Sequence, residues 1–219
     1  MPLVSPPRVK ICCINSIAEA GLAVGYGASA LGLVSEMPSG PGVISEELIA
    51  EIAALVPPGV SSFLLTCKQD AQEIIAQHRR CRTSVIQICD RLVSGSYEEM
   101  RAALPGIKLV QVIHVHGEAS VEEAKAVAPH VDALLLDSGN QSLSVKQLGG
   151  TGRVHDWSFS RQIRAGVNAP VFLAGGLKPE NVAQALAQVS PFGLDICSGV
   201  RTNGKLDEEK LGRFFEAIA

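Results

Sequence analysis

Residues 108–137 read KLVQVIHVHGEASVEEAKAVAPHVDALLLD, and this stretch holds one full period of the pattern that organises the chain. Lys108–Val115 is an apolar, β-branched run without strict alternation, as expected for a strand covered by helices outside and packed within. Val121–Val127 is Ala-rich and amphipathic. Ser120, with Glu122 and Glu123 behind it, supplies a cap and first-turn acids, so this segment reads as a helix. Ala133–Asp137 is apolar again and ends on a carboxylate.

The same period recurs in both directions. Apolar runs stand at Val9–Ile14, Ala30–Val34, Ser61–Thr66, Ser84–Cys89, Val171–Ala174 and Leu194–Ser198, which with the two above makes eight. Helix-like stretches lie between and after them, at Ser16–Tyr26, Ser45–Leu55, Asp70–Arg79, Tyr97–Leu104, Ser158–Ala165, Pro179–Gln188 and Asp207–Ile218. Ser45 and Asp207 lead theirs as caps, each with two glutamates behind it. A βα unit repeated at a spacing of roughly 25–30 residues predicts an α/β fold, a single (β/α)8 TIM barrel of eight parallel strands with outer helices, over residues 1–219. A doubly wound open sheet alternates in the same way but rarely needs so many parallel strands at this length.

The 219 residues are 47% hydrophobic and carry a formal charge of -3, enough for a large core without disulfides or a structural metal. The 19 Lys and Arg are scattered, so the clustered basic footprint of a nucleic-acid binder is absent. No apolar run approaches the ~20 residues that span a bilayer, and Met1 to Arg8, with Pro2, Pro6 and Pro7, lacks the apolar core of a signal peptide. A cytoplasmic address is therefore expected. The six cysteines (Cys12, Cys13, Cys67, Cys81, Cys89 and Cys197) fit no C-x-x-C spacing, and four of them fall in the apolar runs. That argues against zinc and against a disulfide framework, and most of these thiols should be buried small hydrophobes.

The longest connection runs from Ser138 to Asp156 after the sixth run and contains Gly139, Gly149, Gly150, Thr151 and Gly152. Loops at the C-terminal face of such barrels carry the active site, and a glycine-rich loop of this length reads as a lid; the plainer alternative is a solvated surface loop. The seventh run ends in Leu173-Ala174-Gly175-Gly176-Leu177 before a helix from Pro179, and the eighth in Ile196-Cys197-Ser198-Gly199-Val200. Glycines there let backbone N–H groups close on phosphate oxygens, and a helix N-terminus adds donors. Singly these are also tight turns. Their order and depth in the chain match the phosphate site of such barrels, so a phosphorylated small molecule is the expected ligand.

Lys10-Ile11-Cys12, Ala28 to Val34 with Gly32, Asp132 to Asp137, Gly149-Gly150-Thr151-Gly152 with Asp156-Trp157, Leu173 to Leu177, Pro179-Glu180-Asn181-Val182 and Asp195 to Val200 follow one another in this order. Together they resemble the signatures of the phosphoribosylanthranilate isomerase family, over nearly the whole chain. The resemblance implies an Amadori rearrangement, in which an acid opens the ribose ring to a Schiff base and a base removes the proton on C2. By that resemblance Cys12 is the base and Asp137 the acid, while Gly150, Thr151, Gly152, Gly175, Gly176, Ser198 and Gly199 hold the substrate and its phosphate. Asp195 approaches the aromatic amine, or else is a structural carboxylate. Read without the resemblance, Cys12 is a core thiol and Asp137 a loop-capping aspartate. An aspartate that donates a proton near neutral pH needs a raised pKa, which desolvation at an apolar strand end provides. Lys10 shares the strand face of Cys12 and would lie beneath it, its charge favouring the thiolate. Cys13 should face the helix layer and be inert. No cofactor and no metal is implied.

Three departures stand out. Where the family shows Ser-Pro-Arg after the second strand, with the arginine pairing a ligand carboxylate, this chain has Gly40-Pro41-Gly42-Val43, which puts Gly42 at the arginine position. After the fourth strand Gln-Leu-His-Gly becomes Gln87-Ile88-Cys89-Asp90, and beyond the eighth Ser-Gly-Val-Glu becomes Ser198-Gly199-Val200-Arg201. Arg201 is either a cation for a differently placed anion or a solvated side chain. His114 and His116 either add imidazoles to the site or form a satisfied pair near the strand end. The combined reading is a cytoplasmic aldose–ketose isomerase acting on a small phosphorylated sugar-amine, in tryptophan biosynthesis if the substrate is retained, as a monomer or homodimer with no nucleic-acid or membrane partner. A non-catalytic phosphosugar-binding or regulatory barrel, and an isomerase for a related phosphoribosyl amine, stay open as alternatives.

Overall fold

A computed structural model describes residues 7–139, 143–149 and 152–219. Eight parallel strands close into a barrel in chain order, each hydrogen-bonded to the next and the last to the first. They are β1 (Arg8–Ile11), β2 (Ala30–Val34), β3 (Ser61–Thr66), β4 (Val85–Ile88), β5 (Lys108–His114), β6 (Ala133–Asp137), β7 (Val171–Leu173) and β8 (Gly193–Ile196). The helices that follow them are α1 (Ile17–Gly25), α2 (Glu46–Leu55), α3 (Ala71–Cys81), α4 (Tyr97–Ala103), α5 (Glu118–Val127), α6 (Trp157–Gly166), α7 (Val182–Val189) and α8 (Glu208–Glu216). Every expected strand and helix overlaps one of these elements.

Side-chain alternation divides each strand between two cores. Val9, Ile11, Leu31, Leu33, Leu134 and Leu136 pack outward under the helices. Ala30, Val34, Phe63, Val110, Val112, Leu135 and Phe172 fill the interior. Helix starts are fixed by side-chain oxygens that accept the N–H three residues on: Ser16 from Glu19, Ser45 from Leu48, Asp70 from Glu73 and Asp207 from Lys210.

Local details depart from the sequence reading in four places. α5 starts two residues before Ser120, with Gly117 at its N-cap; the Ser120 hydroxyl lies inside the helix, accepts the His116 N–H and donates to the His114 carbonyl. α7 starts at Val182 and not at Pro179, because Asn181 closes a turn first, its amide donating to Gly176 O and its carbonyl oxygen accepting from Lys178 N–H. The four cysteines assigned to strands do not lie in them. Cys12, Cys89 and Cys197 each sit one residue past the end of β1, β4 and β8, with Cys13 next to Cys12, so these thiols gather at the barrel mouth. A hairpin, β9 (Arg201–Thr202) with β10 (Lys205–Leu206), turns through Asn203 and Gly204, both at positive φ. That Asn-Gly pair is a hairpin signal the sequence carries openly.

Candidate active site

β1 and β8 are in register with Lys10 opposite Asp195, and the parallel pairing sends both side chains into the barrel. Lys10 is fully buried and donates to Asp195 Oδ1 at 2.8 Å. Burial alone pushes the ammonium down, but the carboxylate of Asp195 outweighs it and holds Lys10 above the usual lysine range. One step further along β1, the backbone N–H of Cys12 donates to Ile196 O at 2.8 Å and keeps the thiol at the strand mouth. Gly32 makes room for both: a Cβ there would stand 2.9 Å from Cys12 Sγ and 3.0 Å from Lys10 Nζ.

Asp137 ends β6 opposite His114 in the β5 register. Its Oδ1 accepts the Ser138 N–H at 2.7 Å, while Oδ2 faces Gly149 so closely that a Cβ at that glycine would come within 2.7 Å. Burial pushes the Asp137 carboxyl above the usual aspartate range, against the opposing pull of the Ser138 N–H and of His114. The raised pKa that a proton donor needs therefore has the physical cause anticipated from the sequence, an apolar strand end under a loop.

A cavity opens at this face, lined by Cys12, Cys13, Gln87, Asp137, Gly149, Gly152, Gly175, Gly176, Asp195, Cys197 and Ser198 among others. It thus brings together Cys12, Asp137, Gly152, Gly175, Gly176, Asp195 and Ser198 of the expected set. Gly199 lies behind the lining, where a Cβ would sit 2.0 Å from Leu177 O. Gly150 and Thr151 fall outside the described residues. Asp195 both lines the cavity and pairs with Lys10.

Several side chains behave differently from expectation. Cys13 does not face the helix layer. Its φ of 63° is left-handed, which breaks the strand alternation and turns the thiol into the cavity beside Cys12. Arg201 neither faces an open anion site nor is solvated. It is buried, with one guanidinium nitrogen on Glu19 and the Gly204 carbonyl, and the other on Glu19 and the carbonyls of Cys12 and Cys13. Gly42 has φ +80°, and a Cβ would stand 2.5 Å from Cys13 Cβ, so no side chain fits at the position where the family's arginine was looked for. Asp90 is buried and accepts from Lys146 Nζ, and Ser39 Oγ donates to Lys146 O, so loops from β2, β4 and β6 meet over the mouth. The histidines separate: His114 is buried with Nε2 on Cys89 O at 3.0 Å, whereas His116 is exposed.

Sequence reasoning gave Gln87 no role. Its side chain is buried on the cavity wall, and Oε1 has no hydrogen-bond partner among the described residues. Among the described residues, no group of three or more His, Cys, Asp or Glu is arranged to hold a metal ion, and no helix is long and apolar enough to cross a membrane.

A family model described as N-(5'phosphoribosyl)anthranilate (PRA) isomerase matches residues 9–217. N-(5'-phosphoribosyl)anthranilate isomerase 2 of Methanosarcina mazei is 36% identical over 209 residues, which cover 94% of this chain and 92% of the relative. The crystal structure of the phosphoribosyl anthranilate isomerase from Thermotoga maritima is 28% identical with a TM-score of 0.79, covering 97% of this chain and 98% of that one. Another structure of the enzyme, in complex with reduced 1-(o-carboxyphenylamino)-1-deoxyribulose 5-phosphate, is 27% identical with a TM-score of 0.76 and the same coverage. The chain belongs to the N-(5'-phosphoribosyl)anthranilate isomerase family.

Proposed function

We propose that Cys12 and Asp137 carry the aldose–ketose isomerisation of N-(5'-phosphoribosyl)anthranilate, the reaction named for the chain's family, in tryptophan biosynthesis. The observation that carries this reading is that a thiol and a carboxyl held above its usual range line one cavity from opposite sides of the barrel. Protonated Asp137 gives its proton to the ribose ring oxygen as the C1–O bond breaks and the nitrogen lone pair forms the C1–N double bond. Cys12, as thiolate, removes the proton on C2, and the electron pair moves to make the enolamine. Tautomerisation then leaves a ketone at C2. The base works against an iminium, which acidifies the C2 proton, and the acid works where burial keeps it protonated.

The phosphate is assigned to the backbone around Gly175, Gly176, Ser198 and Gly199, with Gly152 and, by resemblance alone, Gly150 and Thr151. Glycine removes the Cβ that would hold phosphate oxygens off the N–H groups. Asp195 approaches the substrate amine while neutralising Lys10. No cofactor enters the scheme. The chain works in the cytoplasm as one barrel domain over residues 1–219, as monomer or homodimer.

The test is complementation of a tryptophan auxotroph lacking this isomerase, together with turnover of the purified protein. Cys12→Ala and Asp137→Ala should each lower kcat at least about 10³-fold while leaving the affinity for the reduced deoxyribulose phosphate product analogue within a few-fold. Activity surviving both substitutions refutes the assignment. Tight analogue binding by the unaltered chain, without turnover or growth, identifies a phosphosugar-binding barrel instead.

A further inference from the structure

Cys13 and Cys197 lie 184 positions apart in the chain, yet their Sγ atoms are 2.9 Å apart beside Cys12, at the ends of β1 and β8. We propose that they form a dithiol site that hydroperoxides oxidise to a disulfide, reversibly stopping the isomerase. Three observations carry it.

The two sulfurs are already at bonding approach. A disulfide needs an S–S distance of about 2.05 Å, so closure asks for less than about 1 Å of movement. The backbone is also arranged for this contact. Cys13 occupies the left-handed region, an uncommon state for a residue with a Cβ, and the Arg201 guanidinium on its carbonyl at 2.6 Å together with the tight approach of Gly42 holds it there. Without that twist the thiol would point to the helix layer, away from Cys197.

The pair is polarised and reachable. Cys197 is partly exposed on the cavity wall, open to a small oxidant. The hydrogen bond it makes with Cys13 and then the nearby Arg201 charge hold the Cys197 thiol below the usual range against the effect of burial, while bonds to Cys12 and Cys197 hold Cys13 above it. Cys197, the more exposed of the two, is the sulfur that meets the oxidant. Cys81, by contrast, is pushed by burial up to about 12, and burial also raises Cys89 and Cys67.

The chemistry balances. The Cys197 thiolate attacks the outer oxygen of a hydroperoxide and breaks the O–O bond, giving a sulfenic acid and an alkoxide that takes a proton from solvent to leave as alcohol, or as water from hydrogen peroxide. The Cys13 sulfur, losing its proton, then attacks the sulfenic sulfur and displaces hydroxide, which departs as water. The two thiols lose two electrons to the O–O bond. The new bond draws on the backbone next to Cys12, and a displacement of about 1 Å at a catalytic group is enough to lower turnover by 10- to 100-fold.

The unaltered protein, treated with hydrogen peroxide, should lose about 2 Da, then take up two fewer alkyl groups than the reduced protein, and give a cross-linked peptide joining Cys13 to Cys197. Isomerase turnover should fall at least about tenfold and return with dithiothreitol. In Cys197→Ser and in Cys13→Ser, each compared with its own reduced activity, the reversible fall should disappear. A gain of oxygen at Cys12, no bridged peptide, or equal reversible loss in both variants overturns the proposal. The activity arm alone rests on the isomerase reading; the mass arm, made on the unaltered chain, decides bridge formation whether or not the protein turns over substrate and whether or not a variant folds.

Discussion

The wall of the mouth made by the ends of β7 and β8 and the wall made by β1 and β2 face the same cavity, but they are held in different ways. On the β7–β8 side the fit is backbone against backbone. Gly176, at φ +64°, leaves a Cβ position only 2.7–2.8 Å from main-chain atoms of Arg153 and Val154, and Gly199 stands tighter still, 2.0 Å from Leu177 O. On the β1–β2 side, charged side chains reach across the whole sequence. Arg201 holds the carbonyls of Cys12 and Cys13 along with Glu19, and Asp195 holds Lys10. A wall of glycines announces itself in a local motif, whereas a wall of distant ion pairs leaves no local trace.

Substitutions can break this contrast. The largest stability loss is expected from Arg201→Ala, which strands a half-buried Glu19 and three carbonyls. Removing one member of a buried pair costs about 3 kcal/mol, read as a lower urea midpoint at unchanged m-value. Arg201→Lys should recover only part, since an ammonium lacks the guanidinium fork. A loss below about 1 kcal/mol for the alanine variant would mean that side-chain ties do not hold this wall. Next comes Gly42→Ala, where a left-handed backbone and a 2.5 Å approach to Cys13 Cβ combine, for roughly 2 kcal/mol in the same assay. Unchanged stability would show that position 42 is open to a side chain after all.

On the glycine wall the readout should be kinetic. Gly176→Ala is expected to raise KM about tenfold with kcat nearly constant, because it disturbs the surface assigned to the phosphate. A fall in kcat at constant KM would move that surface out of ground-state binding.

The smallest effect sharpens the contrast from the gap between the walls. Folded Asp137 has a raised pKa, so it keeps a proton that the unfolded chain releases near pH 4. Its burial therefore costs more stability as pH rises from that value toward the raised pKa, and nothing below it. Asp137→Asn should melt higher than the parent at pH 8, with the gap closing by pH 4. A gap independent of pH would assign the effect to packing. In the parent, turnover should decline on the alkaline side as the same carboxyl ionises.

Legibility follows this division. The eight strands and their helices were readable because apolar period and caps are local. That Cys12, Asp137 and most of the glycines meet at one cavity was readable because their motifs are short and ordered. Cys13 was misread because a strand rule gives it the wrong face once its φ turns positive, and no neighbouring residue type signals that turn. Arg201 was misread because its partners lie about 180 positions away, Glu19 at 182. The glycine at 42 stands out in the sequence only as a missing arginine, and its steric cause, Cys13 across the loop, is not local. The partner of Asp90, Lys146, lies 56 positions away and leaves no local mark either.

The β1–β8 seam also has a consequence in time. Lys10 and Asp195 are 185 residues apart, so a growing chain makes the ammonium long before its counter-ion. A nascent polypeptide that has not yet delivered residues 193–206 carries a barrel with two unpaired edges and a lysine that its interior cannot accept. Ring closure over the full sequence length is the slow kind of contact. Catalytic competence therefore arrives with the final strand, and turnover becomes a strict reporter of completed synthesis and folding, blind to every truncated or half-closed form.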